Sequence, residues 1–355
     1  MMSQQLIFTE DPADELDALL RAADAPQIFI IADTNTAVAA ALPLKAQCWS
    51  LTSAPLIVIE AGDVNKNIDS LTHVWSELGK LGATRKSIVI NVGGGVVTDL
   101  GGFAAATFKR GVRFINIPTT LLATVDAAVG GKTGINFGNL KNEIGSFCEA
   151  EDVIISTSWF STLAPAEVRS GYAEMLKHGL LSGIDATKRL LDYDISRDTH
   201  EDLLPLVEES VMVKKRIVEE DPHELGLRRA LNLGHTAGHA FESWSMNVGR
   251  PVPHGYAVAW GLVVDLVLSH MRLGFDPALL RRIAVYVREH YGALAITCND
   301  YAELIRLMRH DKKNSCADNI NFTLLEAPGK VKIDCIVDEK EICAAFDIYR
   351  DLMGL

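Results

Sequence analysis

The sequence has no paired cysteines. Its six, at positions 48, 148, 298, 316, 335 and 343, are scattered over 355 residues without one CxxC spacing. That pattern excludes a thiolate metal site of the usual spacing and leaves free thiols in a reducing, cytoplasmic compartment as the expectation. Positive charge is also short: 34 lysines and arginines stand against 46 aspartates and glutamates, a formal net charge of -12. A nucleic-acid binder needs a basic face, so that class is excluded. An anionic small molecule is not excluded, but it needs a local basic pocket. Long apolar runs are missing. "AVAWGLVVDLVL" is too short and too interrupted to span a bilayer, so no membrane partner is expected. The opening "MMSQQLIFTEDPADEL" has no basic segment and no apolar core, so no secretory leader is expected. Neither G-x-G-x-x-G nor the inner glutamate of HExxH occurs, which removes the standard dinucleotide fingerprint and argues against a metalloprotease.

What is present falls into two halves. Over residues 1–157, short β-branched runs alternate with helical patterns. "QIFIIAD" (27–33), "PLIVIEAG" (55–62), "SIVINVGGG" (87–95), "RFINIPTT" (113–120) and "DVIIST" (152–157) read as strands, apolar on both faces as buried parallel strands are. Amphipathic stretches such as "NIDSLTHVWSELGKLG" lie between them. This βαβα order predicts a Rossmann-like, doubly wound parallel α/β sheet. Over 158–355 the period lengthens. "APAEVRSGYAEMLKHGLLSG", "LPLVEESVMVKKRIVEED", "GHTAGHAFESWS", "HGYAVAWGLVVDLVLSHMRLG" and "PALLRRIAVYVREHYG" read as helices, and "NINFTLLEAPGKVKIDCIV" as a small hairpin. The second domain is therefore expected to be mostly α-helical. With 48% apolar residues, the chain can build a core in each half.

The stretch "INVGGGVVTDLGGFAA" (90–105) runs a strand through three glycines into a helix. Backbone N–H groups there are able to approach a phosphate at a helix N-terminus; a tight turn without a ligand has the same appearance. Asp33 and Asn35 in "ADTN" and the paired hydroxyls of Thr119 and Thr120 in "IPTT" also fall at carboxyl ends of predicted strands, where such sheets bind nucleotides. In "LNLGHTAGHAFE", His235 and His239 lie one helical turn apart, while "VPHGYAVAWGL" supplies His254 and "SGYAEMLKHGL" supplies Glu174 with Lys177 on the same face. A catalytic zinc site takes about three N or O ligands and keeps one position open. Each residue also has a plain reading: Glu174 as a solvated helix acid, His254 as a capping residue. No role is assigned to His178 or His223.

Taken together and in order, "GGGVVTDLGGFAAATFKRGVRFINIPTTLLATVDAAVGGKTGIN", "KNEIGSF", "RSGYAEMLKHGL", "LRRALNLGHTAGHAFE", "HGYAVAWG" and "DKKN" resemble the sugar-phosphate cyclases and, among them, the 3-dehydroquinate synthases; the likeness runs from about residue 27 to 325. The resemblance implies a homodimeric enzyme using bound NAD and a divalent metal, zinc or cobalt, on a small sugar phosphate, 3-deoxy-D-arabino-heptulosonate 7-phosphate. In that family the substrate is oxidised by NAD, loses phosphate, is reduced again by the same NADH, then opens and closes by an aldol step. The matching metal ligands are Glu174, His235 and His254, which leaves His239 to contact substrate and help move protons. Lys132, Lys177, Lys214 and Asp126 complete the implied catalytic set; Asn142, Arg228, Asn232 and Lys312 match substrate-binding positions. Arg110 matches an arginine that reaches a neighbouring subunit's phosphate pocket. For NAD the matching positions are Asp33, Asn35, Asp63, Lys66, Gly94, Gly95, Asp99, Thr119 and Thr120, with Lys141 beside them. Arginine and lysine hold phosphate and carboxylate by charge-assisted bonds.

Two departures stand out. Asp63 in "GDVNK" replaces the family's usual glutamate and is one methylene shorter, so its bond to the adenosine ribose is expected to be longer or bridged by water. "SFCEA" replaces a common Gln-Pro and carries no role. Three competing readings are distinguishable. A cyclase acting on sedoheptulose 7-phosphate has no substrate carboxylate to bind, whereas Arg228, Asn232 and His239 are all present. A metal-dependent polyol dehydrogenase releases NADH and needs no phosphate-holding lysines. A catalytically silent scaffold has usually lost a metal ligand or a catalytic lysine, and none is missing here.

Overall fold

The computed structural model describes residues 4–23, 26–138, 140–197, 201–309 and 320–355. The chain divides into two compact units, Met1–Ala164 with Asp198–Val211, and Pro165–Arg197 with Met212–Leu355. The first stretch of the first unit thus runs past residue 157 to Ala164, and a second stretch, Asp198–Val211, returns to it. The reason is local: Phe160, in the short 3-10 helix Thr157–Thr162, is buried, and Trp159 beside it packs against the first unit's core.

The first unit is built on a six-stranded sheet. Its strands are β1 (Gln5–Phe8), β2 (Ile28–Asp33), β3 (Leu56–Ile59), β4 (Ile88–Gly93), β5 (Arg113–Pro118) and, after a hairpin of β6 (Lys132–Phe137) and β7 (Leu140–Phe147), β8 (Asp152–Ile155). The lateral order is β1-β8-β5-β4-β2-β3 and every pair is parallel. Alternate residues of each central strand feed opposite faces, as the pleat requires. Ile30, Ala32, Ile88, Ile90, Val92, Ile115, Ile117 and Ile154 join Leu16, Leu20 and Leu44 in one core layer. The opposite face carries Asn91 and Asn116, which hydrogen-bond to each other at 2.9 Å beneath the helix Gly95–Thr107. Both faces are covered, so the five strands read from the sequence appear as continuous apolar runs. β1 and the β6–β7 hairpin had no such signal. β1 is only four residues long, and most of the hairpin's side chains are exposed.

The second unit is mainly helical. The five helices expected there form at Pro165–Ser182, Leu204–Glu220, His235–Asn247, His254–Leu273 and Pro277–Tyr291, the second of them beginning in the first unit; Ile184–Asp192, Tyr301–Arg309 and Glu339–Met353 are additional. The late hairpin forms as antiparallel β9 (Ile320–Ala327) and β10 (Lys330–Val337). The helix His254–Leu273 corrects one expectation. It is long and apolar enough to cross a membrane by length and composition, but most of it, including Asp265, is buried within the protein.

Two glycines let that helix touch its neighbours backbone to backbone. A Cβ on Gly255 would lie 1.9 Å from the carbonyl oxygen of Ser170, and one on Gly261 would lie 2.0 Å from that of Gly234. Only glycine permits such approaches. The Gly255 N–H also donates to Ser170 Oγ at 3.0 Å. Ser170 lies one turn before Glu174 on its helix, so this bond sets the start of the His254 helix against the residue that shares its site.

Candidate metal and cofactor sites

Glu174 lies midway along the helix Pro165–Ser182 and is fully buried. Lys177, one turn on, contacts its Oε2. Two imidazoles face the other oxygen: His235 Nε2 is 3.4 Å and His254 Nε2 3.5 Å from Oε1. The remaining ring nitrogens fix how these imidazoles present themselves. His235 Nδ1 lies 3.1 Å from the Leu233 carbonyl oxygen, and His254 Nδ1 lies 3.0 Å from Glu242 Oε2. Carbonyl and carboxylate oxygens only accept, so both Nδ1 atoms carry hydrogen. A neutral ring then turns its Nε2 lone pair towards Glu174 Oε1, itself an acceptor.

Acceptors facing acceptors require a positive charge between them. Neither Glu174 oxygen has a well-aimed hydrogen bond, although both are buried. His239 completes the cluster: ring nitrogens of His235, His239 and His254 lie within 4.8 Å of one another. One carboxylate and up to three imidazoles are a donor set that fits a divalent cation of the zinc type. Charge in the site points the same way. Burial pushes the Glu174 carboxyl up, but Lys177 and His235 outweigh it and hold the group well below the usual carboxylate range. Burial disfavours the charged form of His254, yet the neighbouring carboxylates of Glu174 and Glu242 raise it to about 10. The two acids that stabilise a proton on His254 also favour a cation beside it.

The basic residues expected in this unit are not solvated surface charges. Lys177 is 1% exposed, Lys214 6% and Arg228 3%. Arg228 is held in the 3-10 helix Leu227–Asn232, with its guanidinium donating to the Pro222 carbonyl at 2.7 Å and its N–H to Asp221 Oδ2 at 3.1 Å. Asn232 ends the same helix, half-buried. Lys312 lies outside the described residues.

In the first unit the expected cofactor positions gather at the carboxyl ends of the strands. β4 ends at Gly93, and Gly94 caps the helix starting at Gly95. A Cβ on Gly94 would lie 3.1 Å from Thr120 Cγ2, so the turn is open only because that side chain is missing. Thr119, following β5, is buried, and its hydroxyl has no hydrogen-bond partner. That orphaned hydroxyl and the bare helix N-terminus fit a polar, phosphate-bearing cofactor. Asp33 is partly committed elsewhere: its Oδ1 accepts the N–H groups of Asn35 at 2.9 Å and Thr36 at 2.8 Å. Lys66, 4% exposed, reaches both Asp99 Oδ2 and Asn142 Oδ1. Asn142, expected on the substrate side, is thus tied to the cofactor group. Asp63 lies 3.6 Å from Lys141 and accepts from Asn136 at its carbonyl (3.0 Å) and carboxylate (3.3 Å). Asp126 is half-buried in the π-helical turn Ala123–Ala127, and Lys132 begins β6 in an exposed position. Arg110 is exposed too, on a turn where it (φ 69°) and Lys109 (φ 50°) are both left-handed.

Four structurally important residues escaped the sequence reading. Glu242 ends the histidine motif itself, at helical spacing from both histidines, and looked like an ordinary helix acid. Asp265 was hidden in an apolar run; its Oδ2 accepts the Gly234 N–H at 2.6 Å and so anchors the residue before His235. Asn136 joins the Asp63 turn to the β6–β7 hairpin, and Asp221 gathers the N–H groups of Leu225, Gly226 and Arg228.

Models of the N-terminal and C-terminal parts of 3-dehydroquinate synthase match residues 56–170 and 171–314. The chain is 48% identical over 355 residues, the whole of both chains, to the 3-dehydroquinate synthase of Parabacteroides distasonis. It is 41% identical over 300 residues to that of Leptospira interrogans, covering 83% of this chain and 82% of the relative. Among solved structures, a 2-deoxy-scyllo-inosose synthase complexed with carbaglucose-6-phosphate, NAD+ and Co2+ superposes with a TM-score of 0.84 at 22% identity, covering 98% of this chain and 96% of the other. A 2-epi-5-epi-valiolone synthase from Streptomyces hygroscopicus, with NAD+ and Zn2+ bound, gives 0.82 at 23% identity, covering 99% and 98%. At such identities the two structures speak for the fold.

Proposed function

The chain belongs to the 3-dehydroquinate synthase family, and we propose that it converts 3-deoxy-D-arabino-heptulosonate 7-phosphate to 3-dehydroquinate and inorganic phosphate. The observation that carries this reading is the burial of Lys177, Lys214 and Arg228 in a protein of net charge -12. Lysine and arginine hold carboxylate and phosphate by charge-assisted bonds, so basic side chains sheltered from solvent suit a substrate that bears both groups.

Glu174, His235 and His254 would hold the metal; Asp33, Asn35, Asp63, Lys66, Gly94, Gly95, Asp99, Thr119, Thr120 and Lys141 would hold NAD. When bound, NAD supplies an oxidation reversed within the same turnover, and the cation acidifies the substrate's hydroxyls. The chain's own residues do the rest. By the family's motifs, Arg228, Asn232, Lys214, Lys132, Asn142 and Lys312 would bind the substrate. His239 and Lys177 stand beside the metal ligands and would move substrate hydroxyl protons, and Asp126 belongs to the same implied catalytic set. Precise orientation, rather than a strong base, accounts for most of the rate. Arg228, buried and rigidly held, favours a substrate with a carboxylate over sedoheptulose 7-phosphate.

The same reading includes a homodimer in the cytoplasm. Support for the dimer comes from Arg110, exposed on its left-handed turn, and from exposed Phe137, Leu140 and Phe147 on the β6–β7 hairpin. Support for a reducing compartment comes from the free state of all five described cysteines.

The test is an assay of purified protein with NAD, Zn2+ and the heptulosonate phosphate, following phosphate, dehydroquinate and NADH together. Equal amounts of phosphate and dehydroquinate without accumulating NADH are expected. Phosphate released only from sedoheptulose 7-phosphate would overturn the substrate assignment, and accumulating NADH would overturn the recycling.

A further inference from the structure

Glu242 has no part in the mechanism above, yet its carboxylate meets a histidine of the cluster. It is nearly buried, on the helix that carries His235 and His239, one turn beyond the second and two beyond the first. Its Oε2 accepts the Nδ1–H of His254, which belongs to a different helix. We propose that Glu242 is a positioning residue for the metal site: it locks the tautomer and ring plane of His254 so that Nε2 faces Glu174, and its charge makes that imidazole a stronger donor. This rests on the reading of His254 as a metal ligand.

Three observations converge on it. The Nδ1 contact, at 3.0 Å, forces the hydrogen onto that nitrogen, because an ionised carboxylate has only acceptors. With Nδ1 occupied, the Nε2 lone pair is the one left to face Glu174, 3.5 Å away. Thirdly, the two metal-facing imidazoles are held differently. His235 leans on the neutral Leu233 carbonyl, a backbone group present whatever residue stands there. His254 leans on a side chain that the sequence had to provide. A carboxylate behind a ligating histidine raises its basicity and fixes its orientation, and removing such a partner costs about 10–100-fold in metal affinity. The pairing also spans two helices, so Glu242 keeps the start of the His254 helix aligned with the residues that share its site.

The test uses full-length, chelator-stripped protein titrated with Zn2+ against a chromophoric chelator, well below the unfolding midpoint. Wild type, Glu242→Gln and His254→Ala are compared, and the metal-free unfolding midpoint of each is recorded. Glu242→Gln keeps the shape but removes the charge, and its zinc dissociation constant is expected to rise about 10–100-fold. The visible spectrum of the Co2+-loaded variant is expected to change as His254 becomes a weaker donor. Wild-type zinc affinity in Glu242→Gln overturns the proposal whatever happens to the midpoint, because a purely structural role moves the midpoint alone. If that variant does not fold, Glu242→Asp takes its place: the shorter acid withdraws from Nδ1, so affinity still falls, and unchanged affinity overturns the proposal. Unchanged affinity in His254→Ala instead removes His254 from the ligand set, which is a separate failure.

Discussion

At the residue scale, Glu174 concentrates the conflicts of the second unit. It is fully buried, touches a buried ammonium, and turns one oxygen to two imidazoles. Glu174→Gln is expected to weaken zinc binding at least about tenfold and to abolish turnover while the protein stays folded at room temperature. Its unfolding midpoint should fall, because Lys177 loses its carboxylate; breaking such a buried pair costs about 3–5 kcal/mol. Metal analysis and a thermal melt check both halves, and wild-type zinc content would remove Glu174 from the ligand set. The histidines and Glu174 were legible in the sequence because motifs preserve the spacing of groups that share a helix face. Glu242 lies within the same motif but was not, since an acid on a helix is ordinarily solvated and only the fold reveals that it meets His254. Asn136 and Asp221 were illegible for a related reason: their work is done on backbone and amide groups, which leave no pattern in sequence.

At the element scale, the helix His254–Leu273 shows how little an apolar run reveals by itself. Periodicity identified it as a helix, but nothing in the run shows that Asp265 within it accepts the Gly234 N–H at the start of another helix. Asp265→Ala leaves that N–H buried and unpaired, at a cost of about 1–3 kcal/mol. Urea unfolding of the metal-free protein should report the loss, and zinc affinity should fall with it as His235 loses its anchor. The far end of the same helix is tied by Arg272, which donates to both carboxylate oxygens of Glu341 at 2.9 and 2.7 Å and to the Ile336 carbonyl. The Arg272 guanidinium holds the Glu341 carboxyl below its usual value. A depressed carboxyl contributes stability above its unfolded value, near 4.5, and loses it as pH falls through the folded value. The pair is partly exposed, so the effect is small. Arg272→Met should flatten the stability profile on the acid side of pH 4.5 and leave its shape near neutrality unchanged, as read by denaturant midpoints across that range.

At the scale of the whole molecule, the two-part architecture and the parallel sheet were readable because both faces of the sheet are buried and its strands are apolar throughout. The β6–β7 hairpin was not, because most of its side chains are exposed and the buried ones in β6, Thr133 to Ile135, are consecutive rather than alternating. Phe137 is 54% exposed and Phe147 57%. Exposed aromatics on one hairpin mark an association surface. With both phenylalanines replaced by aspartate, the proposed dimer is expected to give way to a monomer in sedimentation velocity, still folded by circular dichroism. An unchanged sedimentation coefficient would move the dimer contact elsewhere.

The glycines of the His254 helix carry a consequence for genetics. Every single-nucleotide missense change of a glycine codon adds at least a Cβ, and at Gly255 and Gly261 that one atom would meet a carbonyl oxygen at 1.9 and 2.0 Å. No mutational step out of these codons is small. In a saturation library selected for growth that depends on this enzyme, both columns should be empty, while neighbouring apolar positions tolerate exchange. Where most of a core can drift by degrees, these two sites have no gradient to drift along.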